Sequence, residues 1–231
     1  MNRSSTADNG GFSLVELVVA MTVTLTVLAI TTKMLGRTWG VRNRENQRTE
    51  AIADVQRALN GMTREIANSG FGMTTNGIVP LDSNATSIRI RANLDAFDGV
   101  ANSSDRIAGA GEDVKFTMDI DANENYLVRY DPNNPVANKQ ITVLANRIDS
   151  ISILYYGEKV SYNVNTGTCG VTITTPGISE IADKSQATYI IIVVCVRLPQ
   201  IGTPGGEGYQ PATSVKLASD VELRNQNPGS F

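Results

Sequence analysis

The sequence predicts an α+β fold: a long N-terminal α-helix, apolar in its first half and amphipathic in its second, packed on a C-terminal β-rich, mainly antiparallel domain. Three observations carry that prediction. Residues 12–32, FSLVELVVAMTVTLTVLAITT, form an apolar run whose only charged side chain is Glu16. Residues 34–67 hold no proline, and Ile52, Val55, Leu59, Met62 and Ile66 recur at spacings of three and four, the stripe of a helix with one buried face. After Gly72 the pattern turns to alternation, in β-branched runs broken by Asn, Asp, Gly and Pro clusters.

The apolar run of 21 residues would rise roughly 31 Å as a helix, matching the hydrocarbon core of a bilayer. Continued to Ala67, one helix from Phe12 would be roughly 84 Å long. Asn68-Ser69-Gly70 should end it, with Gly70 and Gly72 as breakers. Trp39 and Arg37 stand where interface anchors are expected. Strands are predicted at Ser87–Ala92, Asp113–Ile120, Tyr126–Tyr130, Gln140–Leu144, Ile148–Tyr156, Lys159–Val164, Val171–Thr174, Tyr189–Leu198 and Ser214–Leu223. The apolar stretch Ala187–Val196 is too short to span a membrane, so it reads as a central strand buried on both faces. The segments are thus 1–11, 12–32, 33–69 and a head at 70–231.

Composition excludes much of enzymology. The 231 residues include no histidine, which removes Ser-His-Asp and Cys-His nucleophile pairs and imidazole proton shuttles. Two cysteines are too few for a four-cysteine zinc site. The formal net charge of −3 offers no basic excess for nucleic acid. Charge is unevenly spread: residues 33–72 hold seven Lys/Arg against four Asp/Glu, and residues 73–231 hold twelve against seventeen. A basic stem leads into an acidic body. Carboxylates adjacent in polar loops, Glu112/Asp113 and Glu180/Asp183, read as solvated surface and not as an acid–base pair. No enzyme activity is expected.

A carboxylate inside an apolar span is expensive, and Glu16 requires a partner. The segment GFSLVELVVAM resembles the N-terminus of type IV pilins and pseudopilins, the prepilin class. The resemblance implies that residues 1–11 are a leader cut on the cytoplasmic side after Gly11. It implies that Phe12 becomes the N-methylated first residue and that Glu16 is the fifth mature residue. Phe12 and Glu16 lie at i and i+4 on one helix face, so cleavage would create an ammonium within reach of the carboxylate. Lys33, Arg37, Arg42, Arg44 and Arg48 follow the span, and charge alone would hold the body in the cytoplasm. The cleavage motif is read over the charge rule, which puts the head in the periplasm before assembly.

Within that class, MDIDANEN, ANRIDSISILYY and VELRN at 221–225 resemble, in order, motifs of the PilW-type minor pilins. Asp119, Asp121, Asn123 and Asn125 give the oxygen alternation of a calcium loop, though Glu124 and Tyr130 stand where an EF-hand has Gly and Glu. A hairpin turn and a calcium site both stay open, and no cofactor is required. In the implied topology Cys169 and Cys195 lie outside the cytoplasm, and a disulfide across 25 intervening residues is favoured over two separate thiols. The function implied is a minor type IV pilin, made as a prepilin and priming assembly at or near the filament tip. Its implied partners are a prepilin peptidase, other minor and major pilins, an inner-membrane assembly platform and, before assembly, the membrane; no nucleic acid is expected. A J-type minor pseudopilin of type II secretion is the nearest alternative. A membrane-anchored periplasmic enzyme or ligand-binding domain is the alternative from another class.

Overall fold

The structure, a computed structural model, describes residues 13–95, 107–121, 124–165 and 167–225. Helix α1 runs unbroken over Leu14–Ala67, 54 residues or about 80 Å of rise. Among the described residues nine strands follow: β1 Ser87–Arg91, β2 Asp113–Asp121, β3 Glu124–Tyr130, β4 Ile141–Ala145, β5 Ile148–Tyr156, β6 Tyr162–Val164, β7 Val171–Ile173, β8 Tyr189–Leu198 and β9 Thr213–Glu222. They pair antiparallel in a four-stranded sheet β1-β2-β3-β4, a three-stranded sheet β5-β8-β9 and a hairpin β6-β7. The α+β architecture is that read from the periodicities. Gln140 departs from it, closing a short 3-10 turn ahead of β4, and Lys159–Ser161 precede β6 outside the sheet.

The protein divides into two compact units, the helix to Glu45 with Gln200–Pro211, and Asn46–Pro199 with the residues from Ala212 onward. In the larger unit four of the five residues of the predicted stripe form the core: Val55, Leu59, Met62 and Ile66 are buried, joined by Ala58, while Ile52 is only partly buried and lies outside the cluster. They share one cluster with Ile88, Ile90, Val114, Phe116 and Leu127 of the first sheet and Ile151, Ile153, Ile190, Ile192 and Val194 of the second. Removing a buried side chain of this size, as in Met62→Ala, costs roughly 2–5 kcal/mol. On an outward face of the helix Glu65 receives both of its carboxylate contacts from Arg129 Nε of β3, at 3.0 and 2.9 Å. Arg129 also pairs with buried Asp131.

The carbonyl end of α1 is closed by the last strand's extension. Gly70 takes a φ of 77° and turns the backbone out of the helix. The Arg224 N–H then donates to the Ala67 carbonyl, and Asn225 Nδ2 donates to the carbonyls of Asn68 and Ser69. Val221 and Leu223 are buried, so VELRN supplies two core side chains and then two groups that satisfy otherwise orphaned helix carbonyls.

Strand β8 is buried on both faces, as its uninterrupted apolar run requires. Ile190, Ile192 and Val194 enter the helix-facing core, while Tyr189, Ile191, Val193 and Cys195 form a second cluster with Tyr156 and Val160. The β6-β7 hairpin region covers that second face through Tyr162, Cys169, Val171 and Ile173. Cys169 and Cys195 are joined by a disulfide, tying the hairpin's loop to the central strand. Asp220 of β9 accepts hydrogen bonds from Tyr162 and Tyr189, at 3.0 and 2.6 Å. Burial, reinforced by that bond to Asp220, pushes the Tyr162 hydroxyl up to about 12.

The smaller unit is a strap on the helix. Residues 200–211 form a short loop closed by paired bonds between Ile201 and Gln210. Gly208 lies against Gly36 and Gly40, which are one turn apart: a Cβ on Gly40 would stand 2.3 Å from the Gly208 carbonyl oxygen. Buried Arg44 donates to the Pro211 carbonyl, and Lys33 lies 3.9 Å from Glu207. Small residues at i and i+4 let a backbone approach the helix, an arrangement better known between helices.

Two outcomes follow from this packing. Gly40→Val should displace the strap and speed chymotryptic cleavage after Tyr209 several-fold. Gly61→Ala, where a Cβ meets nothing within 4 Å, should leave that cleavage unchanged and stabilise the helix by roughly 0.5–1 kcal/mol. Equal cleavage in Gly40→Val and the parent protein would show that the strap does not need the glycine contact. Cys169→Ser should cost up to about 3.5 kcal/mol by loop-closure entropy, measured as denaturant midpoint under oxidising conditions. Dithiothreitol should then destabilise the parent protein and leave the variant unaffected.

Candidate functional site

The helix start carries the features that bear on function. Ser13 lies ahead of α1, its carbonyl accepting from the Leu17 N–H at 3.1 Å. Glu16 lies in the first turn and is exposed. Around and beyond it Leu14, Val15, Leu17, Met21, Leu25, Leu28 and Ile30 are all more than half exposed, so the side chains that would form a core instead face outward. An 18-residue window of this helix has a mean hydropathy of 2.2 and is wholly unburied, which is the length and composition of a membrane span.

The threonines within the apolar half do not spoil it. Thr22 donates to the Val19 carbonyl, Thr24 to Ala20 and Met21, Thr26 to Thr22, and Thr31 and Thr32 to carbonyls one turn back. Each hydroxyl is satisfied inside its own helix, so the surface offered to lipid or to other helices carries no orphan donor. Glu16 is then the one charged group in the described part of that stretch. Gly11 and Phe12, the expected cleavage and methylation positions, lie outside the described residues, and with them the amino partner expected for Glu16.

The other residues singled out in the sequence fall in the larger unit. Asp119 and Asn125 sit on β2 and β3, with Asp119 opposite Tyr126 and its Oδ1 accepting from the Ile120 N–H. The Asp121 side chain and Asn123 lie outside the described residues. Among the described residues no group of three or more His, Cys, Asp or Glu is placed to hold a metal ion. Glu112 spends its two oxygens on the Leu94 and Gly109 N–H groups, each at 2.7 Å. Burial would raise the Asp113 pKa, but the Arg89 hydrogen bonds and the charges of Arg89 and Arg91 outweigh it and hold the carboxyl below its usual range. Asp183 caps a 3-10 turn through Ser185. Glu112 and Asp113 are buried and are not the solvated surface expected of them; with Asp183 they hold loops and strand ends.

Sequence reasoning gave no sign of the strap over Gly36 and Gly40. Their i, i+4 spacing was the available signal, but nothing local says what fills the notch.

Comparison with known proteins bears on the N-terminal segment. The prokaryotic N-terminal methylation motif matches residues 7–32. No curated protein and no solved structure gives a significant match to the sequence. The match covers the expected cleavage position, Glu16 and the apolar run, and the implied processing is by a prepilin peptidase, followed by assembly with other pilins. The motif, placed ahead of one long helix and an antiparallel β-rich domain, supports a place in the type IV pilin and pseudopilin class.

Proposed function

We propose that this protein is a minor type IV pilin, PilW-like, that primes filament assembly at or near the tip. The observation that carries the reading is a lone carboxylate, Glu16, at the start of a fully exposed apolar helix bearing a methylation motif. In hydrocarbon such a carboxylate costs about 2.5–3.5 kcal/mol on insertion scales. Cleavage after Gly11 leaves the Phe12 amine, which is protonated at neutral pH and stays basic when methylated. The pair forms within one subunit or between a docking subunit and its neighbour, and it favours the assembled state because the apolar helices around it exclude water.

The helix would hold the protein in the inner membrane with the head in the periplasm, then bury among other helices in the filament. A disulfide in the head supports a non-cytoplasmic location. The three PilW-like motifs favour a pilus over a type II secretion pseudopilin, whose helix would look the same. Piliation and secretion in a deletion strain separate these two. The role is structural: the subunit adds binding and mechanics to a filament, and partners supply energy and processing.

Peptide mass spectrometry on native membranes and sheared surface filaments tests the route. An N-methylated Phe12 terminus is expected in both fractions; a protein beginning at Met1, or cut after residue 32, overturns the reading. Glu16→Ala should leave cleavage largely intact while lowering recovery in filaments by about tenfold or more, the loss of a charge-assisted contact. Normal assembly by that variant would sink the charge-pair argument while leaving the processing result standing.

A further inference from the structure

A second site lies at one end of the head. Strand β5 begins at Ile148, opposite Val196 of β8, so the residues just beyond them, Arg147 and Arg197, leave the sheet as neighbours. Both line a cleft of about 270 Å3 that continues into a shallower one of about 440 Å3. The other walls are α1 from Gln47 to Asp54 and the start of β3 at Glu124.

Three features of this cleft bear on binding. Arg147 has a φ of 57°, the one positive value at a non-glycine among the described residues, where Gly or Asn would sit with less strain. Arg147 and Arg197 are both exposed and both line the two parts of the cleft. Among the described residues neither makes a side-chain hydrogen bond or ion pair. Gln47 adds a third: its Oε1 is buried, lines both parts of the cleft and has no hydrogen-bond partner. A left-handed arginine in the two-residue connection between β4 and β5, two arginines without a partner among the described residues and an orphan acceptor converge on one cavity, the pattern of a binding site and not of a stabilising network.

We propose that this cleft binds a peptide segment carrying a single carboxylate, held between Arg147 and Arg197, with an adjacent N–H donated to Gln47 Oε1. Planar guanidinium pairs suit a carboxylate through paired N–H donors. Glu50, Asp54, Glu124 and, in the shallower part, Asp149 line the same walls; they repel any anion, and a polyanion such as nucleic acid or a phosphorylated headgroup more than a single carboxylate. They suit a peptide, whose N–H groups or neighbouring cation they accept. The cavity holds about nine water volumes, the size of one acidic residue with its flanking peptide groups. Assigning that carboxylate to a neighbouring subunit rests on the assembly reading above; the site itself does not. The side-chain carboxylate of an Asp or Glu and the terminal carboxylate of a polypeptide present the same chemistry.

The test uses the processed full-length protein in detergent micelles, observed through its arginine Nε–H signals by nuclear magnetic resonance. Four probes are titrated: N-acetyl-Gly-Asp-Gly amide, N-acetyl-Gly-Gly-Gly with a free terminal carboxylate, N-acetyl-Gly-Asn-Gly amide and inorganic phosphate. Saturable shifts of Arg147 and Arg197 are expected with at least one carboxylate peptide, and the tighter of the two identifies the source. The Asn peptide and phosphate should bind at least about tenfold more weakly. Arg197→Gln should weaken binding by a similar factor. Arg147→Gly should abolish it without lowering Tm, because glycine adopts the left-handed conformation freely. The proposal is overturned by no saturable response to either carboxylate peptide, by an equal response to the Asn peptide, by tighter phosphate binding, or by a Tm that falls in Arg147→Gly. A failure here leaves the methylated terminus untouched, so the two readings fail separately.

Discussion

Val55, Leu59, Met62 and Ile66 lie at or near zero exposure among side chains of both main sheets, and the head is organised around that packing. Without it neither sheet has a common partner, since the first offers Ile88, Ile90, Val114 and Phe116 to the helix and the second offers Ile190, Ile192 and Val194. The same helix, some ten turns earlier, points its large apolar side chains outward. One continuous secondary structure therefore meets two solvents, a protein core and an apolar medium outside the subunit. The uninterrupted i, i+4 hydrogen-bond ladder makes that possible, because a helix satisfies its backbone in either setting.

Strand β8 shows how the second layer is held. An antiparallel sheet usually keeps one face wet, and its strands alternate. Here the odd-numbered residues of β8 are covered by the β6-β7 region, whose strands have three residues each and cannot be stable as an isolated hairpin. The Cys169–Cys195 disulfide and the Asp220 carboxylate shared by Tyr162 and Tyr189 hold that cover in place. A short, weakly structured cover thus shields Ile191 and Val193, which would otherwise be an exposed apolar patch.

Much of this was legible in the sequence, for a physical reason. Helix α1 and β8 announce themselves through local periodicity: a stripe at three and four, and an apolar run too short for a membrane and too uniform for a half-buried strand. The helix stop at Gly70 is likewise local. Contacts between residues far apart in sequence were not legible. Arg44 meets the Pro211 carbonyl across 167 positions, and Arg129 meets Glu65 across 64. Charged residues in such sequences look like ordinary solvated surface until strand register brings them together. Arg147 and Arg197 are the clearest case: ANRID stood out only as part of a strand motif, nothing marks CVRLP, and the β5-β8 register brings the two strand ends together. The Gly36–Gly40 notch was visible as spacing, but its occupant, Gly208, lies in a loop with no periodicity of its own.

The two proposals meet in a question of specificity. An apolar helix of Leu, Val, Ile, Ala and Thr, with its hydroxyls turned back on its own carbonyls, has little with which to tell one neighbouring helix from another. On the proposed reading, Glu16 would supply register along a filament axis, since its partner would be an ammonium at one depth, but every subunit processed at the same motif would present the same pair. Selection of a particular neighbour therefore has to reside in the head, where polar groups lie at specific and costly positions. An apolar surface gains free energy from almost any partner, whereas unpaired guanidiniums and an orphan amide oxygen gain it only from a group of the right charge and geometry. On the proposed reading, that asymmetry makes the Arg147–Arg197 cleft the discriminating part of the molecule, with the helix as its general-purpose anchor.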